Sequence, residues 1–109
     1  MASRIAFHAR LRLLTADQGG WKSPVATRVM CLCDVGKMHR GKPVFLDARL
    51  TLEDRAELAP GEETVFLVEP LHEELWDHVQ PGQSITIQEG FATKGSGTVL
   101  DRFFQGDVQ

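Results

Sequence analysis

The apolar residues that open this chain recur at every second position. Ile5, Phe7, Ala9, Leu11 and Leu13 fall on one face, and Arg4, His8, Arg10 and Arg12 on the other. A strand sends successive side chains to opposite faces, so this pattern predicts a half-buried β-strand over 5–14 with a basic outer face. The period of two returns at Val44, Leu46, Ala48, Leu50 and Leu52, which alternate with Phe45, Asp47, Arg49 and Thr51. Val25 to Cys33, Thr64 to Glu69, Ile85 with Ile87, and Gly95 to Phe103 read as four more strands. Asp17-Gln18-Gly19-Gly20, Gly36 to Gly41, Pro60-Gly61 and Pro81-Gly82 punctuate them as loops and turns. Six short strands with regular turn signals predict an all-β fold, a six-stranded antiparallel closed β-barrel. The absence of βαβ alternation excludes a doubly wound sheet.

One stretch breaks the period. Leu71, Leu75 and Val79 stand four apart behind Pro70, which suits a first helical position. The spacing predicts one short helix over 70–79, laid on a barrel mouth or edge and pinned there by Trp76. The whole is one domain over 1–104, with 105–109 a flexible tail.

Charge is unevenly distributed along the chain. The first fifty residues carry nine Lys/Arg and three Asp/Glu; the rest carry three and twelve, so +6 and −9 make up the net −3. A net negative chain is not one coated in positive charge for general nucleic-acid binding. In a closed barrel, strands from both halves interleave, so the two charges are expected to cancel partly as cross-strand pairs.

Several function classes drop out. No apolar run approaches the roughly 20 residues of a membrane-spanning helix, and residues 1–10 lack a signal-peptide core, so the chain reads as cytoplasmic. Cys31 and Cys33 point to one face of a strand, as free buried thiols rather than a disulfide. Without a second cysteine pair they make no structural zinc set, and no metal or cofactor is expected. No phosphate-binding G-x-x-x-x-G-K-[ST] loop occurs, so the chain is not a GTPase. Ser23, Ser84 and Ser96 lack a nucleophile elbow, and His8, His39, His72 and His78 are scattered. No catalytic residue is assigned.

Four stretches carry a resemblance. They are Phe7 to Leu14 followed by Gly19-Gly20 and Pro24; Cys33-Asp34-Val35-Gly36; Ala56 to Glu62 around Pro60-Gly61; and Ile85 to Val99, with its Glu89-Gly90 and Thr93-Lys94-Gly95-Ser96-Gly97. In order and spacing they resemble the third, C-terminal barrel domain of elongation factor Tu, over residues 5–103. The resemblance implies that barrel type, and a surface that meets tRNA or neighbouring protein domains. In the family's final hairpin an arginine follows two residues after the Glu-Gly; here that position is Ala92, and Lys94 stands two residues further on. The acidic stretch Leu71 to Gln80, with Glu73, Glu74 and Asp77, is longer than the family's connection.

The candidate binding residues each have a plain structural alternative. Arg10 and Arg12, in one row with Arg4, track a phosphate backbone or form a solvated face opposite acidic residues. Lys37, His39, Arg40 and Lys42 are the densest basic cluster, suited to phosphate or an acidic partner. Their segment has no interleaved aromatics, which argues against single-strand stacking. Trp21 beside Lys22 is an exposed contact or a plug over one barrel end. Gly90 to Gly97, with Lys94, is an anion-binding loop or a hairpin that needs glycine. The expected function is a non-catalytic interaction module with a protein partner favoured and tRNA or another structured RNA second. A small ligand-binding or catalytic protein on the same barrel, and a homodimer, are the alternatives.

Overall fold

A computed structural model describes residues 4–106. The strands are β1 (Arg4–Leu13), β2 (Val25–Ala26), β3 (Val29–Asp34), β4 (Met38–His39), β5 (Lys42–Pro43), β6 (Leu46–Leu52), β7 (Glu57–Leu58), β8 (Glu63–Pro70), β9 (Ser84–Glu89) and β10 (Ala92–Gln105). Six of them close a barrel in the order β1-β10-β9-β3-β6-β8, and β8 pairs back onto β1. All its ladders are antiparallel. Closure leaves no long free edge, which suits strands this rich in β-formers. The alternation written in the sequence is the alternation observed. Phe7, Leu11 and Leu13 point inward from β1, Leu50 from β6, Phe66 and Val68 from β8, and Ile85 and Ile87 from β9.

The run Val25 to Cys33 is broken in two. β2 pairs with β7, β3 pairs with β6, and between them Arg28 takes a left-handed φ of 60°. Thr27 spans the break, its hydroxyl donating to the Leu52 carbonyl and accepting from the Leu52 amide. Residues 36–41, expected as a loop, hold β4 and the turn of the hairpin β4–β5. Its two central residues, Arg40 and Gly41, both have positive φ, at 54° and 78°, as a type I′ turn requires. The last strand extends through Gln105, which pairs with Arg4, so the expected tail does not begin at 105. Residues 107–109 lie outside the described ones.

The short helix expected over 70–79 is present but confined to four residues. Pro70 ends β8, where its missing N–H costs no ladder bond, and Glu73–Trp76 is a single 3-10 turn. The bonds there run i to i+3, from the Leu75 amide to His72 and from the Val79 amide to Trp76. Of the residues spaced by four, Val79 is buried and Leu75 packs against the core, but Leu71 is exposed and the fully buried Trp76 falls outside the spacing. The stretch still plugs a barrel end. The Trp76 ring lies 5.7 Å from that of Phe7, and Arg102 donates to the carbonyls of Asp77 and Val79 at 2.8 and 2.9 Å. Among the described residues no helix is long and apolar enough to cross a membrane.

Candidate binding cleft

The loop after β1 is built to hold one aromatic residue against the barrel. Thr15 caps the 3-10 turn Ala16–Gln18 and exchanges hydrogen bonds with Gln18 in a capping box. Lys94 then donates from Nζ to the Gly19 carbonyl at 3.0 Å and lies 3.7 Å from Glu89. Its side chain is only 14% exposed. Lys94 therefore ties the Gly19-Gly20 loop to the final hairpin, and its charge is used within the molecule. The loop carries Trp21 onto the barrel, where it packs half-buried against the core, with Lys22 exposed beside it.

Below this loop the barrel wall opens. β3 pairs with β6 from Val29 to Cys33, but its ladder to β9 covers only Leu32 to Asp34. Beyond the Leu32–Gln88 pair, Met30 and Cys31 run beside Glu89 and Gly90 without strand pairing. The result is an open cleft of about 600 Å³. Trp21, Pro24, Val25, Val29, Met30 and Leu32 form its apolar walls; Lys22, Gln88 and Glu89 supply polar groups. Met30 is 53% exposed, and Phe91, one residue past the cleft lip, is 94% exposed. The Phe91 ring sits edge-on to Phe45, 6.2 Å away, and Phe45 follows the basic hairpin β4–β5 within two residues of Pro43. Phe91 thus bridges the cleft and the base of the hairpin.

The candidate cations divide into two sets. Arg10 and Arg12 stand on the outer face of β1, three strands from β3 in either direction round the barrel. They border a shallow depression of about 230 Å³ with Glu63, Ser96 and Thr98, and Arg10 lies 3.6 Å from Glu63. They do not share a face with the cleft. Lys37, His39, Arg40 and Lys42 gather on the β4–β5 hairpin, and all but the half-buried Lys37 are exposed.

The expected cancellation of charge is visible. Arg4 with Glu73, Arg10 with Glu63, and Arg49 with Glu69 join the basic half to the acidic half. Among the described residues Arg12, Lys22, Arg28, Lys37, Arg40 and Lys42 have no carboxylate within ion-pair distance.

The glycine-rich segment is not a loop. Only Gly90 and Phe91 make the turn, and Gly95 and Gly97 lie within β10, opposite Leu13 and Leu11. A Cβ on Gly97 would run into the Arg10 carbonyl, so this glycine serves close strand approach rather than anion binding.

Two further titratable groups stand out, of which spacing marks only the second, the thiols. His8 is bracketed by carboxylates. Nδ1 lies 3.0 Å from Asp101 and Nε2 lies 3.2 Å from Glu53, and the ring stacks on Phe103 at 4.9 Å. It sits beside the bulge where β1 and β10 shift register at His8/Ala9. Its ring bonds are to these carboxylates, with no hydroxyl or thiol among them, so it links β1, β10 and the loop after β6. Its partners lie 45 and 93 residues away, a distance that spacing does not reveal. The second group is the thiol pair. Cys31 and Cys33 are free and face inward. Burial, with Glu89 nearby, pushes the Cys31 thiol up to about 11, and burial pushes Cys33 higher still.

Both thiols therefore hold their protons at neutral pH, and the thiolate is the reactive form. The native protein is expected to react with an aromatic disulfide reagent at pH 8 about a hundredfold more slowly than free cysteine, whose ordinary pKa is near 8.5. Addition of urea should release both thiols at once. The unfolded chain ionises its thiols first as pH rises, so stability is expected to fall from about pH 8.5 upward. Fast native labelling would contradict the burial.

No family model matches the chain, and no curated protein is similar to it. What the geometry defines is a class: a closed six-stranded antiparallel barrel with an apolar cleft in its wall. In this chain the exposed Phe91 stands at the cleft lip and touches Phe45 at the base of the basic hairpin.

Proposed function

We propose that this chain is a non-catalytic interaction module that binds a protein partner on the face formed by the cleft and the β4–β5 hairpin. The observation that carries this reading is the apolar cleft of about 600 Å³ adjoined by the exposed Phe91 and by cations that have no carboxylate partner among the described residues. Soluble proteins seldom leave apolar surface and unmatched charge together without use. The reading takes the chain as a cytoplasmic relative of the third barrel domain of elongation factor Tu. The order of its sequence motifs and the closed six-stranded barrel support this. A protein is favoured over tRNA because Ala92 stands at the family's arginine position and Lys94 is engaged with Gly19 and Glu89.

Affinity capture from native lysate tests the reading. The wild-type chain is expected to retain a partner that a Lys37→Glu, Arg40→Glu variant loses. Retention of the same partner by both would remove the hairpin from the interface. The RNA version is tested by tRNA binding at low salt. Phosphate contacts would give an affinity that falls steeply with salt, and no binding at low salt removes that version.

A further inference from the structure

We infer that the cleft takes an extended acidic segment of the partner, its apolar side chains seated against Met30 and Val29 and its carboxylates on the basic hairpin. This deepens the interaction-module reading and rests on it.

Three observations select this occupant. The first is shape. The cleft runs along β3 where the β3–β9 ladder stops at Leu32–Gln88, so one wall is the flank of a strand. An extended segment presents alternate side chains to such a flank and sends the others outward. The second is lining. Val25, Val29, Met30 and Leu32 offer aliphatic contact beside the single ring of Trp21, which suits leucine- or isoleucine-like anchors. The third is charge. Lys22 lines the cleft, and Lys37, Arg40 and Lys42 lie on the adjoining hairpin, all without carboxylate partners among the described residues. Glu89, the cleft's own carboxylate, is matched by Lys94 at 3.7 Å and leaves the local balance positive. An alternating apolar–acidic segment complements both features; a basic one would meet like charge.

The test uses the full chain and two fluorescent peptides, one alternating Leu with Asp and one alternating Leu with Lys, read by anisotropy. The acidic peptide should bind saturably and at least about tenfold more tightly than the basic one, with an affinity that weakens as salt rises. Met30→Asp and Phe91→Ser should each weaken it by about tenfold, the loss expected for one interface anchor. Both residues are well exposed, so neither change endangers the fold, and Glu74→Gln on the 3-10 turn, which does not line the cleft, should change nothing. Equal binding of the two peptides, or wild-type affinity in Met30→Asp, overturns the inference. So does the absence of peptide binding alongside hairpin-dependent binding of an RNA stem-loop. If lysate capture still depends on Lys37 and Arg40 while the acidic peptide fails, the module reading stands and the extended-segment occupant falls.

Discussion

Replacing Trp76 with alanine is expected to lower the stability of the barrel by about 3–5 kcal/mol, the range for emptying a large aromatic site. Trp76 is the largest fully buried side chain, packed 5.7 Å from Phe7 at one barrel end. The segment that carries it has only one 3-10 turn of its own. Val79 and the Arg102 hydrogen bonds to the Asp77 and Val79 carbonyls also hold that segment, but the indole supplies its largest buried apolar surface. A loss of this size is a large share of a small domain's roughly 5–15 kcal/mol. Urea unfolding followed by circular dichroism would measure it, and a change below about 1 kcal/mol would refute the plug. The indole Nε1 has no hydrogen-bond partner. Trp76→Phe therefore sacrifices no hydrogen bond and should recover most of the stability lost in the alanine variant.

Gly97→Ala is the second large effect, expected to cost about 3 kcal/mol, at the upper end for overpacking. The added methyl meets the Arg10 carbonyl and lies 3.0 Å from the Leu11 Cα, both backbone atoms of the paired strand β1. A side chain could rotate away; a paired strand must separate. Gly106→Ala is the matched control, since nothing lies within 4 Å of a Cβ there, and it should change stability by less than about 0.5 kcal/mol. Equal midpoints for the two variants in thermal melts would show that β1 and β10 are not in close contact.

These two residues also mark where the sequence was hard to read. Trp76 lay in a stretch whose leucines and valine fell four apart, and that spacing wrote a helix. The buried residues Pro70, Trp76 and Val79 do not share one helical stripe, and only the packing against Phe7 identifies which side chains face inward. Gly97 lay among three glycines that looked like a loop. Conformational freedom and close strand approach both call for glycine, and the two cannot be told apart without the neighbouring strand.

The candidate site was legible in its parts and not in its assembly. Trp21, Lys22 and the Lys37–Lys42 cluster stood out by type. Met30, Phe91 and Phe45 did not: Met30 sits in an apolar run that reads as core, Phe45 falls among the outward residues of its strand, and Phe91 lies in a glycine-rich segment that reads as a loop. The exposure of Met30 follows from a ladder that stops early, and Phe91 sits at the β9–β10 turn against the half-buried Phe45. Arg10 and Arg12 read as part of the same basic surface, and barrel closure placed them on the far side.

What the sequence determined by itself was the strand period, the inward set on each strand and hence an all-β chain. Side-chain alternation is local: it depends only on successive φ and ψ, and a period of two survives in any sheet. What the tertiary structure decided was which strands adjoin, which cations meet carboxylates and where the wall opens. Those depend on contacts between residues tens of positions apart, as in His8 between Glu53 and Asp101, and no local pattern encodes them.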